Sequence, residues 1–177
     1  KMILSLIEAR AIDAAINQED LDALETSVRE LTNNNFQNVH IRFKGIEFMA
    51  NNLIAVNDPI VGLKVGDTIE VNYSHYNDGL YVIESIDGKQ ITVQGTPFFV
   101  ANTSGSILTL VQYPADVVRG IKKLIEYDKK MASKIGIKSE SISRMSTTYY
   151  DVNASETVDG YLAALVSFLQ KYEKMRW

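Results

Sequence analysis

The 177 residues include no cysteine, only three prolines, two histidines and one tryptophan. Without Cys there is no disulfide framework, no thiolate zinc site and no thiol nucleophile, a composition that suits a reducing cytosol. Long apolar runs are missing too. The longest falls well short of the roughly 20 residues a membrane helix needs, and Lys1 to Glu8 is too short and too soon acidic for a signal peptide, so a soluble, unexported chain is expected. Nor is there a cationic surplus: net charge is −4 and the 18 Lys and Arg are scattered, so no basic stripe for a duplex is expected. No Walker loop, dinucleotide fingerprint, helical zinc pair, internal repeat or low-complexity tract occurs.

What remains divides by hydrophobic period. Ser5 and Glu8 have capping-box spacing and open a first helix expected over 6–16. Asn17 is placed to cap a second helix whose first turn carries Glu19 and Asp20. Leu21, Leu24, Val28 and Leu31 form its expected buried stripe, with Glu25 and Arg29 on the opposite face. Asn33, Asn34 and Asn35 stop it, because asparagine tolerates the left-handed conformation.

From there the period changes to two. Val39, Ile41 and Phe43 alternate with His40, Arg42 and Lys44, and Gly45 predicts a bend or bulge before Ile46 and Phe48. Strands are predicted at Ile69 to Tyr73, at Leu80 and Val82, at Ile91 and Val93 after the Asp87-Gly88 hairpin signal, and at Ile107 to Leu110. Five or so short strands at this spacing suggest a small SH3-like or OB-like barrel.

Pro114 opens a third helix with Asp116 in its first turn and Val117, Ile121, Leu124 and Ile125 facing inward, and Gly136 is the expected stop. The Ser/Thr-rich stretch 137–153 reads as an extended loop. Ser155 or Thr157 is expected to start a fourth helix with Val158, Leu162, Leu165 and Leu169 on one face, Gly160 marking a close backbone approach. The expected fold class is therefore α+β: a discontinuous helical domain, residues 1–36 and 113–177, interrupted by a β-barrel domain, 37–112.

Two stretches carry a resemblance. Ser5-Leu-Ile-Glu-Ala-Arg-Ala11 followed by Glu19 to Phe36, with its Thr32-Asn33-Asn34-Asn35-Phe36 end, resembles the opening of head-tail connector (adaptor, head-completion) proteins of long-tailed double-stranded DNA bacteriophages. Ile137 to Asp151, with Ser141, Ser143, Arg144 and the Tyr149-Tyr150-Asp151 step, followed by Glu156 to Tyr172, is similar to the C-terminal part of connectors from phages of Gram-positive hosts. The resemblance covers roughly 100 residues outside the barrel. Leu162 stands where relatives commonly have proline, and the simplest members lack the β insert. The resemblance implies a small four-helix connector-type domain and a structural role without catalysis or cofactor. It also implies a homo-oligomeric ring, dodecameric in the family, placed in the virion neck and assembled in the host cytoplasm. That ring would sit between portal and a tail-proximal neck or stopper protein, complete the head and extend the DNA channel. Twelve copies at −4 would carry about fifty negative charges, which would let duplex DNA pass without tight binding.

By position, Lys174, Met175, Arg176 and Trp177 are the portal-binding candidates. A terminal Trp beside Arg suits an interface anchor, and it suits equally a cover for its own domain's core. Ser141, Ser143, Arg144, Thr147, Tyr149 and Tyr150 are candidates for a subunit interface or the channel. The densest acidic run, Glu19, Asp20, Asp22 and Glu25, reads first as a solvated, dipole-stabilised helix start. No catalytic, metal or cofactor residue is assigned. His40 and His75 read as outward strand or turn residues, and the Ser74, His75, Asp78 grouping is discounted as a triad because adjacent strand residues face opposite sides. Tyr73, Tyr76, Tyr81 and His75 crowd one end of the β region. They support the alternative function, a ligand-binding module for peptide or glycan with helices for oligomerisation.

Overall fold

The computed structural model describes residues 3–102, 104–132, 139–142, 145–148, 157–158 and 161–175. Its contacts divide the chain into two compact units, one spanning Asn35–Tyr113 and the other Ile3–Asn34 with Pro114–Trp177.

The β unit is one antiparallel sheet built from β1 (Gln37–Lys44), β2 (Glu47–Met49), β3 (Leu53–Ala55), β4 (Thr68–Asn72), β5 (Gly79–Asp87), β6 (Gln90–Val93), β7 (Ala101–Asn102) and β8 (Ile107–Val111). The order is β1-β8-β4-β5-β6-β3-β2-β7, so the terminal strands β1 and β7 do not meet and the sheet stays open. This overturns the expected closed SH3-like or OB-like barrel. Its physical reason lies in the chain between β6 and β8, where Gly95 and Pro97 interrupt the ladder and leave β7 only two residues to offer as an edge. The nine-residue β5 serves both halves of the sheet: Gly79 to Val82 pair with β4, Ile83 to Asp87 with β6, and the register shifts at Ile83/Ser85. That irregularity lets the sheet fold over itself. Ile69, Val71 and Leu108 from one half then share a single core with Phe48, Ile54 and Ile91 from the other. Gly88 closes the β5–β6 hairpin at φ +58, a conformation natural for glycine at the first central position of a II′ turn.

In the helical unit α1 (Leu6–Arg10) is shorter than its apolar pattern suggests. Asp13 takes the Ala15 amide at 3.1 Å and Arg10 Nε donates to the Ile16 carbonyl at 3.2 Å, so the chain turns back before a second helical turn can add on. Both expected capping boxes form, Ser5 with Glu8 on α1 and Asn17 with Asp20 on α2 (Gln18–Thr32). The buried stripe of α2 is Leu21, Glu25, Val28 and Thr32, rotated from the Leu21, Leu24, Val28, Leu31 expectation. Glu25 is buried, not solvated, because its carboxylate accepts the Ile3 amide at 3.1 Å. Leu21 and Val28 each contribute about 2 kcal/mol of burial to that face.

Helix α3 (Ala115–Met131) buries Val117, Ile121, Leu124 and Ile125 as its periodicity predicts, and with them Gly120. The four-helix connector-type domain is not what forms. Where a fourth long helix is expected, short antiparallel strands β11 (Thr157–Val158) and β12 (Tyr161–Leu162) precede a four-residue α4 (Ala163–Val166) and a 3₁₀ helix, Ser167–Tyr172. Thr, Val and Tyr favour extended backbone, and here that preference outweighs the helical spacing of the leucines. The stretch expected as an irregular loop holds another hairpin, β9 (Ser139–Ile142) with β10 (Met145–Thr148). Gly136 and Gly160 lie outside the described residues.

The 3₁₀ helix packs on α2 and α3. A Cβ on Gly120 would sit 2.2 Å from Phe168 Cζ, so α3 needs a glycine where that ring crosses it. Gly120→Ala should therefore lower stability by about 1–2 kcal/mol despite alanine's better helix propensity. Thermal unfolding measures the loss, and Phe168→Leu in the same background should restore part of it.

Candidate functional site

Three surfaces carry the sequence-level candidates. The first is the segment after the 3₁₀ helix. At Glu173 the backbone becomes extended, the Lys174 amide donates to the Thr32 carbonyl at 2.8 Å, and Asn33 Nδ2 donates to the Met175 carbonyl at 3.1 Å. Asn34 Nδ2 adds a bond to the Tyr172 carbonyl at 3.1 Å. The asparagines that stop α2 thus also hold the tail. Asn33 can do both because it adopts φ +46, ψ +38 as the left-handed cap, and Thr32 is buried with its hydroxyl on the Val28 carbonyl at 2.7 Å. Lys174 is exposed, and Met175 presents its side chain to solvent at 76% exposure. Arg176 and Trp177 lie outside the described residues. The docking role of Thr32, Asn33 and Asn34 went unread in the sequence, although the run of amide side chains at a helix end is a signal that could have suggested it.

Asp116 at the start of α3 fixes the 3₁₀ helix above this tail. Its carboxylate meets Lys171 Nζ at 2.5 Å and accepts from the Tyr172 hydroxyl at 2.7 Å. The Lys171 hydrogen bond, then that of Tyr172, hold the carboxyl down at about 2 against an ordinary 3.8. A carboxyl depressed in the folded state stabilises above its unfolded value and loses that contribution as pH falls through the folded one. NMR signals of Lys171 and Tyr172 should stay unperturbed at pH 5 and change as the pH falls toward about 2, where the Asp116 carboxyl is half protonated, and Asp116→Asn should abolish that response.

The second surface is the β9–β10 hairpin, with Ser141 opposite Ser146 and Thr147 opposite Glu140. Its strands pair only with each other among the described residues, so each keeps an open edge. Ser143, Arg144, Tyr149 and Tyr150 lie outside the described residues.

The third is the turn between β4 and β5. Tyr73 and His75 stand at φ +63 and +69, conformations bulky residues rarely adopt, and Asp78 ties down the turn through Tyr73 and Ser74. Its carboxylate accepts from the Tyr73 amide at 3.2 Å, the Ser74 amide at 2.7 Å and the Ser74 hydroxyl at 2.5 Å, while Ser74 Oγ accepts the Asn77 amide at 2.9 Å. Ser74 is fully buried and its hydroxyl is bonded straight to the carboxylate, so the arrangement is a structural clamp and not a nucleophile with its base. The Asn77 side chain bonds both ways to the Phe99 backbone, at 2.8 and 3.0 Å, and Tyr81 donates to the Asn77 carbonyl at 3.0 Å. Tyr81 in turn packs edge-on against Phe98, which packs on Phe48 in the core. So Tyr81 turns inward as a support, and Tyr73, His75 and Tyr76 stay outside. His40, also exposed, sits on β1. Among the described residues no cluster of three metal-ligating side chains occurs, and no described helix is long and apolar enough to cross a membrane.

Burial pushes the Asp78 carboxyl up, but the Ser74 hydroxyl, the Ser74 and Tyr73 amides and the His75 charge outweigh it and leave the group below its ordinary 3.8. The clamp is therefore complete above pH 3.8 and weakens as pH falls through the lower folded value. Asp78→Ala should free the strained turn at neutral pH, read as faster hydrogen exchange at Tyr73 and Ser74 with the β-sheet circular dichroism unchanged.

Compared with known proteins, the sequence matches no family model and no curated protein.

Proposed function

We propose that this protein is a structural component of a tailed bacteriophage neck. In this reading it forms an oligomeric ring between the portal and the tail-proximal neck proteins, completing the head and extending the DNA channel. The observation that carries the reading is the pinned tail: residues 172–175 are tied by main-chain and asparagine bonds to the end of α2, with Met175 turned outward. An apolar side chain on an ordered backbone is a preorganised contact, because little entropy is lost when a partner covers it. Lys174 and Met175 belong to the four residues, 174–177, that a connector-type resemblance assigns to the portal.

The β9–β10 hairpin supports the ring. A two-stranded hairpin is marginal alone, and its open edges suit pairing with a neighbouring copy. An acidic chain also suits a lumen through which DNA slides, since phosphate meets net repulsion. The reading needs surface complementarity and no turnover, and it does not require a fourth long helix.

Light scattering of the purified chain with and without portal tests it. Portal should drive formation of a closed oligomer. Met175→Ala, which leaves the Lys174 to Thr32 bond in place, should weaken portal association about tenfold, the size expected for truncating a contributing interface side chain. A chain whose mass ignores portal would overturn the proposal.

A further inference from the structure

Two Asp-Gly steps fall among the described residues of the β unit, and the fold treats them differently. Asp78-Gly79 lies where the turn after β4 enters β5, and Asp87-Gly88 opens the β5–β6 hairpin turn. Both aspartates are exposed, so access to water does not separate them. Hydrogen bonding does. We propose that Asp87 is a self-modification site, at which the folded chain isomerises to isoaspartate through a cyclic imide with Gly88, while Asp78 is held unreactive. The inference stands on the β unit alone and is independent of the neck reading.

The reaction takes no reagent but water. The Gly88 nitrogen attacks the side-chain carbonyl carbon of the protonated Asp87 carboxyl and an N–C bond forms. The amide proton and the side-chain hydroxyl leave together as water, and a five-membered succinimide results. Hydrolysis then returns the water. Opening at the main-chain carbonyl leaves the backbone running through the side-chain carbon, longer by a methylene, with the former main-chain carbonyl now a free carboxylate. No oxidation state changes and the mass of the chain is conserved.

The step needs a nitrogen not already bonded, a carboxyl free to swing onto it, and room for the ring. At Asp87 all are met. Asp87 and Gln90 make the last ladder pair, so the Gly88 amide lies beyond the ladder, and among the described residues it donates no hydrogen bond. No described residue bonds the Asp87 carboxylate either, and Lys89 donates to the Asn57 carbonyl instead. Gly88 carries no Cβ to shield its nitrogen, and a Cβ built there would meet nothing within 4 Å. At Asp78 the carboxyl is not free. One oxygen accepts the Tyr73 amide at 3.2 Å, and the other accepts the Ser74 amide at 2.7 Å and the fully buried Ser74 hydroxyl at 2.5 Å. Gly79 is already a ladder residue, opposite Val71. A barrier raised by even one lost hydrogen bond slows a reaction about tenfold. The consequence of reaction at Asp87 is local. The added methylene breaks the match with Gln90, whereas the next pair, Ile86 with Ile91, is anchored by a fully buried Ile91.

The test incubates the full chain for weeks at neutral pH and physiological temperature, folded in buffer and unfolded in urea. Trypsin then releases residues 65–89, which hold both aspartates, and electron-transfer fragmentation locates isoaspartate within that peptide. In the folded chain isoaspartate should form at least about tenfold faster at position 87 than at 78, and urea should bring the two rates together. The proposal is overturned if position 87 stays aspartate in the folded chain, or if position 78 isomerises as fast there. It is also overturned if urea leaves the ratio unchanged, since flanking sequence and not the hydrogen bonds would then set it.

Discussion

A helix must dispose of its last carbonyls, and in the helical unit the solution adopted at the end of α2 organises much else. Asn33 turns left-handed, which ends the helix and leaves the Thr32 carbonyl open to an outside donor. The Lys174 amide, from a strand of chain 142 residues later, becomes that donor. Asn33 and Asn34 extend the same tie through their side chains. Because the unit is discontinuous in sequence, bonds of this separation join its two halves. Their cost in chain entropy is set by the folding of everything between.

Local rules were legible wherever the deciding partners lie within a few residues. The two capping boxes, the left-handed stop at Asn33, the inward face of α3 and the Gly88 hairpin all follow from side chains interacting with their own neighbourhood. Legibility failed where a distant partner decided. Glu25 looks solvated until the Ile3 amide is brought to it, and Gly120 looks incidental until Phe168 crosses it. In the stretch after Gly136, Thr157, Val158 and Tyr161 have two competing preferences, helical spacing and extended backbone. The second prevails there, which removes the expected fourth helix. The sheet was legible as strands and turns but not as an open array, because whether edge strands close depends on the two residues that β7 contributes.

The candidate surfaces show the same division. Crowding of Tyr73, Tyr76 and Tyr81 could be read from spacing, whereas the inward turn of Tyr81 and the recruitment of Phe99 could not, since both depend on Asn77 bridging to a loop 22 residues away. The reading of Ser74 and Asp78 changes as well. Their proximity is real, yet every bond they make serves the backbone of the turn.

The strands by which the chain enters and leaves the β unit are themselves paired. Gln37 lies opposite Val111, the Gln112 amide bonds the Phe36 carbonyl at 2.9 Å, and the Phe36 and Tyr113 rings touch at 4.8 Å. A segment whose two ends zip together behaves as an exchangeable cassette: the host chain sees only a narrow gap, about as wide as an ordinary turn would bridge. Evolution can then lengthen, swap or delete such a cassette without renegotiating the helices on either side, and new surface chemistry can be acquired in one recombination event.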